Sequence, residues 1–173
     1  MSRRWHLPSL VLLISSVCLG TFLAGHSWRP APPPPSMAFG RLPISGTLAD
    51  AIGRGFNDCF QSDATRMRCR RHDVMFEGQG PYEAAVDLVG GDGSGGFDQV
   101  VFWHNRDQYA VYAIADAFER QGWQSCSTGS DDRGDQIIYT RNGAPFVVSM
   151  DLSYYGKRRL RLIPQWNRKE RRC

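Results

Sequence analysis

Histidine is scarce in this chain of 173 residues: it has four, and only His72 and His104 lie within the expected folded region. There is no CxxC pair and no cluster of cysteine with histidine, which argues against the common structural zinc arrangements. Neither histidine has a serine or cysteine at a recognisable spacing, so no nucleophile and base pair can be named. The glycine run Gly90-Gly91-Asp92-Gly93-Ser94-Gly95-Gly96 lacks the lysine of a P-loop and the carboxylate series of a calcium loop. It also joins two predicted strands rather than a strand and a helix, so it reads as a flexible hairpin. No metal and no cofactor is predicted.

What the chain does contain is an internal repeat. Leu48–Arg54 (LADAIGR) returns as Ile114–Arg120 (IADAFER), and one inserted residue, Gln121, then aligns Phe56 with Trp123 and Cys59 with Cys126. Farther on, Val74-Met75-Phe76 corresponds to Ile137-Ile138-Tyr139, and Val86-Asp87-Leu88 to Met150-Asp151-Leu152. Two copies of about 60 residues are too few for a stacked array, so the halves are expected to pack into one domain.

Arg3 and Arg4 precede an apolar stretch from Leu7 to Ala24, the layout of a secretory leader or a membrane anchor. Residues 1–27 are therefore expected to be a signal peptide or a membrane anchor, and the rest of the chain to be exported into a periplasmic or extracellular space. Cys18 as a lipid-attachment site is an alternative, opposed by the bulk of Val17. Residues 28–44, carrying RPAPPPPS at 29–36, are expected to be a proline-rich spacer or a ligand for a proline-recognising module. Residues 45–173 form the expected folded domain, with repeats over about 47–104 and 108–166 and a basic tail over 167–173.

Four cysteines follow the leader: Cys59, Cys69, Cys126 and Cys173. An even number in an exported chain implies two disulfides, with three possible connectivities. The short spacing favours Cys59 with Cys69, leaving Cys126 for Cys173, and Cys59 with Cys126 is the main rival.

Thr47 followed by Asp50 resembles a helix N-cap, and Leu48, Ala51, Ile52 and Phe56 then keep helical spacing. Val111, Ile114, Ala115 and Phe118 define a second apolar helix face, starting after a capping residue within 105–107. Strand character follows each helix, at 74–77, 82–89 and 97–103, then at 136–140, 145–154 and 158–164. The expected fold is α+β: two tandem αβββ repeats forming a largely antiparallel six-stranded sheet with both helices on one face.

Asp87 and Asp151 occupy matching places in the halves and point away from the helix-covered core. If a pseudo-twofold axis brought them together, they would form a cation or acid–base site, and His104, beside Asn105, Arg106 and Asp107, would supply a general base. The alternative is polar residues on a solvated strand face and a surface or capping histidine. The C-terminal region carries Lys157, Arg158, Arg159, Arg161, Arg168, Lys169, Arg171 and Arg172 against the single Glu170, within a chain of net charge +4. This asymmetry implies either an anionic partner or a solvated basic strand face, with Leu160 and Leu162 inward and a charged tail beyond.

These features imply an exported, non-enzymatic binding or accessory domain contacting an anionic lipid, polysaccharide or envelope protein. A small hydrolase built on Asp87, Asp151 and His104 is the alternative, and a structural subunit of an envelope assembly is a third. Nucleic acid is disfavoured by the expected export and by the lack of a stacking signature around Tyr154, Tyr155 and Trp166.

Overall fold

In the computed structural model the described residues are 32–128, 135–152 and 158–165. The chain builds a short hairpin, β1 (Met37–Phe39) and β2 (Leu42–Ser45), and then α1 (Leu48–Gly53). Four strands follow: β3 (Asp58–Asp63), β4 (Arg66–Phe76), β5 (Gln79–Val89) and β6 (Phe97–Trp103). The second half repeats this order with α2 (Ala110–Arg120), β7 (Gln124–Ser127), β8 (Gln136–Thr140), β9 (Phe146–Asp151) and β10 (Leu160–Pro164).

The large sheet has eight strands in the order β3-β4-β5-β6-β10-β9-β8-β7, all antiparallel. The expected α+β fold with a six-stranded sheet is thereby overturned: strands hold 50% of the structure and helices 14%. The reason is local polarity. The expected strand set omits β3, which is almost wholly exposed, and β7, which is mainly polar. Both are edge strands that pair with only one neighbour, so neither needs an apolar run. The first half of β4 reads RMRCRRH, whose arginines hide an alternating strand.

Periodicity of two separates the faces. Cys69, Val86, Val100, Leu162, Val148 and Tyr139 lie in one row of the ladder, all buried, and join one core cluster across both halves. Leu160 and Leu162 face inward, fully buried. α2 contributes Val111, Ile114, Ala115 and Phe118 to that cluster. Phe39 of β1 packs against Phe76, Phe118 and Phe146 with ring centroids 6.1, 6.3 and 5.1 Å apart. The β1–β2 hairpin is thus part of the core, with Leu42 and Ile44 buried. The spacer expected through residue 44 therefore ends earlier. Even Pro34 is buried, where a side chain at Gly96 would come within 2.2 Å of its ring, so only glycine permits this approach.

α1 begins as expected, with a complete capping box between Thr47 and Asp50. α2 differs: Tyr109 occupies its N-cap but its side chain does not cap the helix, and Asp107 accepts from the Tyr109 backbone N–H at 2.8 Å. The Gly90–Gly96 connection is not a loose hairpin. Gly93 donates to the Gly90 carbonyl, Gly95 to that of Val89 and Gly90 to that of Thr65, while Asp92 accepts from the Ser94 backbone N–H. That last bond holds the Asp92 carboxyl below the usual range.

A cationic groove on the open sheet face

The face of the sheet opposite the core carries the polar set. Arg66, Arg68 and Arg70 alternate along β4 and project to this side, because Met67 and Cys69 take the core-facing positions. Arg68 grips Asp87 on β5 through two bonds of 2.6 and 2.8 Å, and Gln99 of β6 donates to the same carboxylate at 2.9 Å. The Asp87 bonds raise the Arg68 pKa above its ordinary value, against the opposing effect of burial. In the second half, Arg161 of β10 makes a similar double contact with Asp151 of β9, from the strand after the aspartate rather than before it, one bond being 2.7 Å.

Asp87 and Asp151 therefore share the outer face without meeting. Their strands are separated by β6 and β10, three strand spacings or about 14 Å. Each carboxylate is already neutralised by an arginine, so the arrangement offers no paired acid and no shared cation site. His104 follows β6 and is engaged by the backbone after it. Its Nδ1 accepts the backbone N–H groups of Arg106 and Asp107 at 3.2 and 2.8 Å, closing the turn before α2. The neutral ring then carries its proton on Nε2.

The basic C-terminal residues are also divided. Arg158 is buried, its guanidinium 4.4 Å from the Tyr109 ring and 5.1 Å from the Tyr112 ring, and its backbone N–H donates to Gln108 at 2.7 Å. It is a clamp between β10 and α2. Arg161 is spent on Asp151, and Arg159 is exposed on the outer face. Lys157, Arg168, Lys169, Arg171 and Arg172 lie outside the described residues, as do the expected leader at 1–27, Tyr154, Tyr155 and Trp166.

A disulfide joins Cys59 to Cys69 across a directly opposed β3–β4 pair, which excludes Cys59 with Cys126. Cys126 is itself disulfide-bonded, and its expected partner Cys173 lies outside the described residues.

An open groove of about 440 Å³ runs over this face, lined by Arg68, Arg70, His72, Glu83, Val101, Trp103, Asn105 and Arg159. A bulge between Arg71 and Val74, with Asp73 at φ 53°, lies where His72 meets Glu83 of β5. His72 Nδ1 is 2.5 Å from Glu83 Oε2, Asn105 donates to Glu83 Oε1 at 3.1 Å, and Trp103 Nε1 donates to Asn105 at 3.3 Å. Arg70 lies 4.7 Å over the Phe60 ring, and its Nε has no hydrogen-bond partner among the described residues. Arg66 pairs with Asp98, Arg68 with Asp87, His72 with Glu83 and Arg161 with Asp151. Arg70 and Arg159 have no carboxylate partner among the described residues.

Sequence reasoning missed Arg68, Arg70, Glu83, Trp103 and Asn105 as a group. The signal was present in the arginine alternation of β4, which predicts one cationic strand face once the strand is recognised. Among the described residues no three of histidine, cysteine, aspartate and glutamate form a metal-holding group, and no helix is long and apolar enough to cross a membrane. Comparison with protein-family models, characterised proteins and solved structures returns no match.

Proposed function

We propose that this chain is an exported, non-enzymatic binding domain whose outer sheet face contacts an anionic component of the cell envelope. The observation that carries the reading is the pair Arg70 and Arg159, two cations that have no carboxylate partner among the described residues and line one open groove. An uncompensated charge beside a groove favours an oppositely charged ligand and draws it in at low ionic strength. The Cys59–Cys69 bond fits a chain that folds in an oxidising compartment. An N-terminal anchor would then hold the domain at the membrane.

The observed contacts favour this reading over the hydrolase alternative. Asp87 and Asp151 are committed to arginines and His104 Nδ1 to a turn, so each of the three is already engaged in a structural contact. The exposed large apolar residues, Ile52, Phe60, Met75, Val89 and Tyr109, are spread over α1, β3, β4, β5 and the start of α2. That distribution gives little support to a purely structural subunit docking through one apolar patch.

The test is co-sedimentation of the oxidised, folded domain with an isolated envelope fraction at low and high salt. Wild type is expected to sediment at low salt and to be released as salt rises, and Arg70→Glu combined with Arg159→Glu to stay in solution. Equal sedimentation of the two proteins sinks the proposal.

A further inference from the structure

The groove mixes charges in a way that selects among anions. Arg70 and Arg159 offer donors, whereas Glu83 places a carboxylate acceptor in the same groove, held by His72 and Asn105. A phosphate or sulfate presents acceptors almost exclusively, so Glu83 repels it. A sugar hydroxyl is both donor and acceptor, and can give its proton to Glu83 while accepting from Asn105 or an arginine. Trp103 is part-exposed at the same groove, with its indole N–H directed to Asn105. It adds an apolar aromatic surface of the kind a ring's C–H face packs on. By the β6–β10 register, in which Leu160 faces Phe102, Arg159 falls next to Trp103.

Building on the proposed anion-binding role, we infer that the groove takes an acidic polysaccharide, a sugar chain whose rings carry carboxylates. One ring packs on Trp103, its hydroxyls bond to Glu83 and Asn105, and its carboxylate is met by Arg159 or Arg70. A fork of two guanidinium N–H groups matches a carboxylate in plane, which suits arginine over lysine here. The groove is open rather than enclosed, so a chain can pass through it without an end being recognised.

The experiment is affinity electrophoresis and titration calorimetry of the full oxidised chain with oligogalacturonate, with neutral maltohexaose, with inorganic polyphosphate and with phosphatidylglycerol vesicles. Oligogalacturonate is expected to bind and maltohexaose not to. Trp103→Ala is expected to weaken oligogalacturonate binding about tenfold, the order of one aromatic packing contact. Glu83→Gln should weaken oligogalacturonate and strengthen polyphosphate. Asn105→Ala, an exposed position after β6, repeats the loss at a site that does not threaten folding, and an unchanged melting temperature certifies each variant.

The inference is overturned if polyphosphate or the vesicles bind wild type as tightly as oligogalacturonate, or if Trp103→Ala and Asn105→Ala both leave binding unchanged. Envelope co-sedimentation that remains sensitive to Arg70→Glu with Arg159→Glu, without any oligogalacturonate binding, removes the polysaccharide and leaves the anion-binding role standing. Loss of both removes both.

Discussion

Asp50 is worth more than its single charge, because it receives the Thr47 backbone N–H at 2.8 Å and the Thr47 hydroxyl at 2.8 Å, with Ser36 donating to its other oxygen. The Thr47 backbone N–H, foremost, and then its hydroxyl hold the Asp50 carboxyl below its ordinary 3.8. A depressed folded-state pKa contributes stability above the unfolded value, and that contribution is lost as pH falls through the folded one. The stability gap between wild type and Asp50→Asn is therefore expected to be full near about pH 6 and to close as pH drops below about 4. Urea titrations at several pH values read it directly, and a gap independent of pH contradicts the assignment. Thr47→Ala should cost about 1 kcal/mol on the same assay. This cap was legible because it depends on two residues three apart. The Arg68–Asp87 pair was not, since its members are 19 positions apart and meet only through the β4–β5 register. Arg68→Met leaves Asp87 buried with Gln99 as its remaining side-chain partner among the described residues, at an expected cost of about 3 kcal/mol, and Arg68→Met with Asp87→Leu should recover most of it. A double-mutant cycle measures the recovery.

At the scale of elements, the helices announced themselves and the edge strands did not. α2 has five buried residues on one face, a pattern that periodicity detects, whereas β3 and β7 are stabilised by backbone pairing to one neighbour and leave little trace in side-chain polarity. The disulfide supplies for β3 what apolar burial does not. It closes a loop spanning 10 residues, for which chain entropy gives about 2–3 kcal/mol. The β3–β4 hairpin already restrains that loop, so Cys59→Ser with Cys69→Ser is expected to cost about 2 kcal/mol. Amide exchange should show the loss in β3, with β9 and β10 scarcely changed. Exchange rising uniformly across the sheet would mean that β3 is integral to the core. The basic segment before β10 shows the converse error: a run of arginines reads as a solvated face, yet Arg158 is drawn beneath two tyrosines. Flat aromatic faces accept a guanidinium at modest desolvation cost, which charge counting along a chain does not register.

Across the whole molecule, the two halves meet at β6 and β10, where Leu160, Arg161 and Leu162 oppose Phe102, Val101 and Val100. This seam joins one core cluster rather than two, since Val100, Phe102, Leu160 and Leu162 belong to the same buried set as residues from α1's exit to β9. The seam also assembles the proposed site, because Arg70 comes from the first half and Arg159 from the second. Neither half therefore holds a complete groove. A shared core further implies that the halves unfold together, as contacts on either side of β6 are lost when β10 leaves. Leu160→Ala removes a fully buried side chain at the seam, at an expected cost of about 3 kcal/mol. The decisive readout is where that cost falls. If the sheet is one cooperative unit, protection of β4 and β8 amides drops by the same factor under native-state exchange. If only the strands of the second half lose protection, the halves are separable, and a groove that draws cations from both would open whenever the weaker half does.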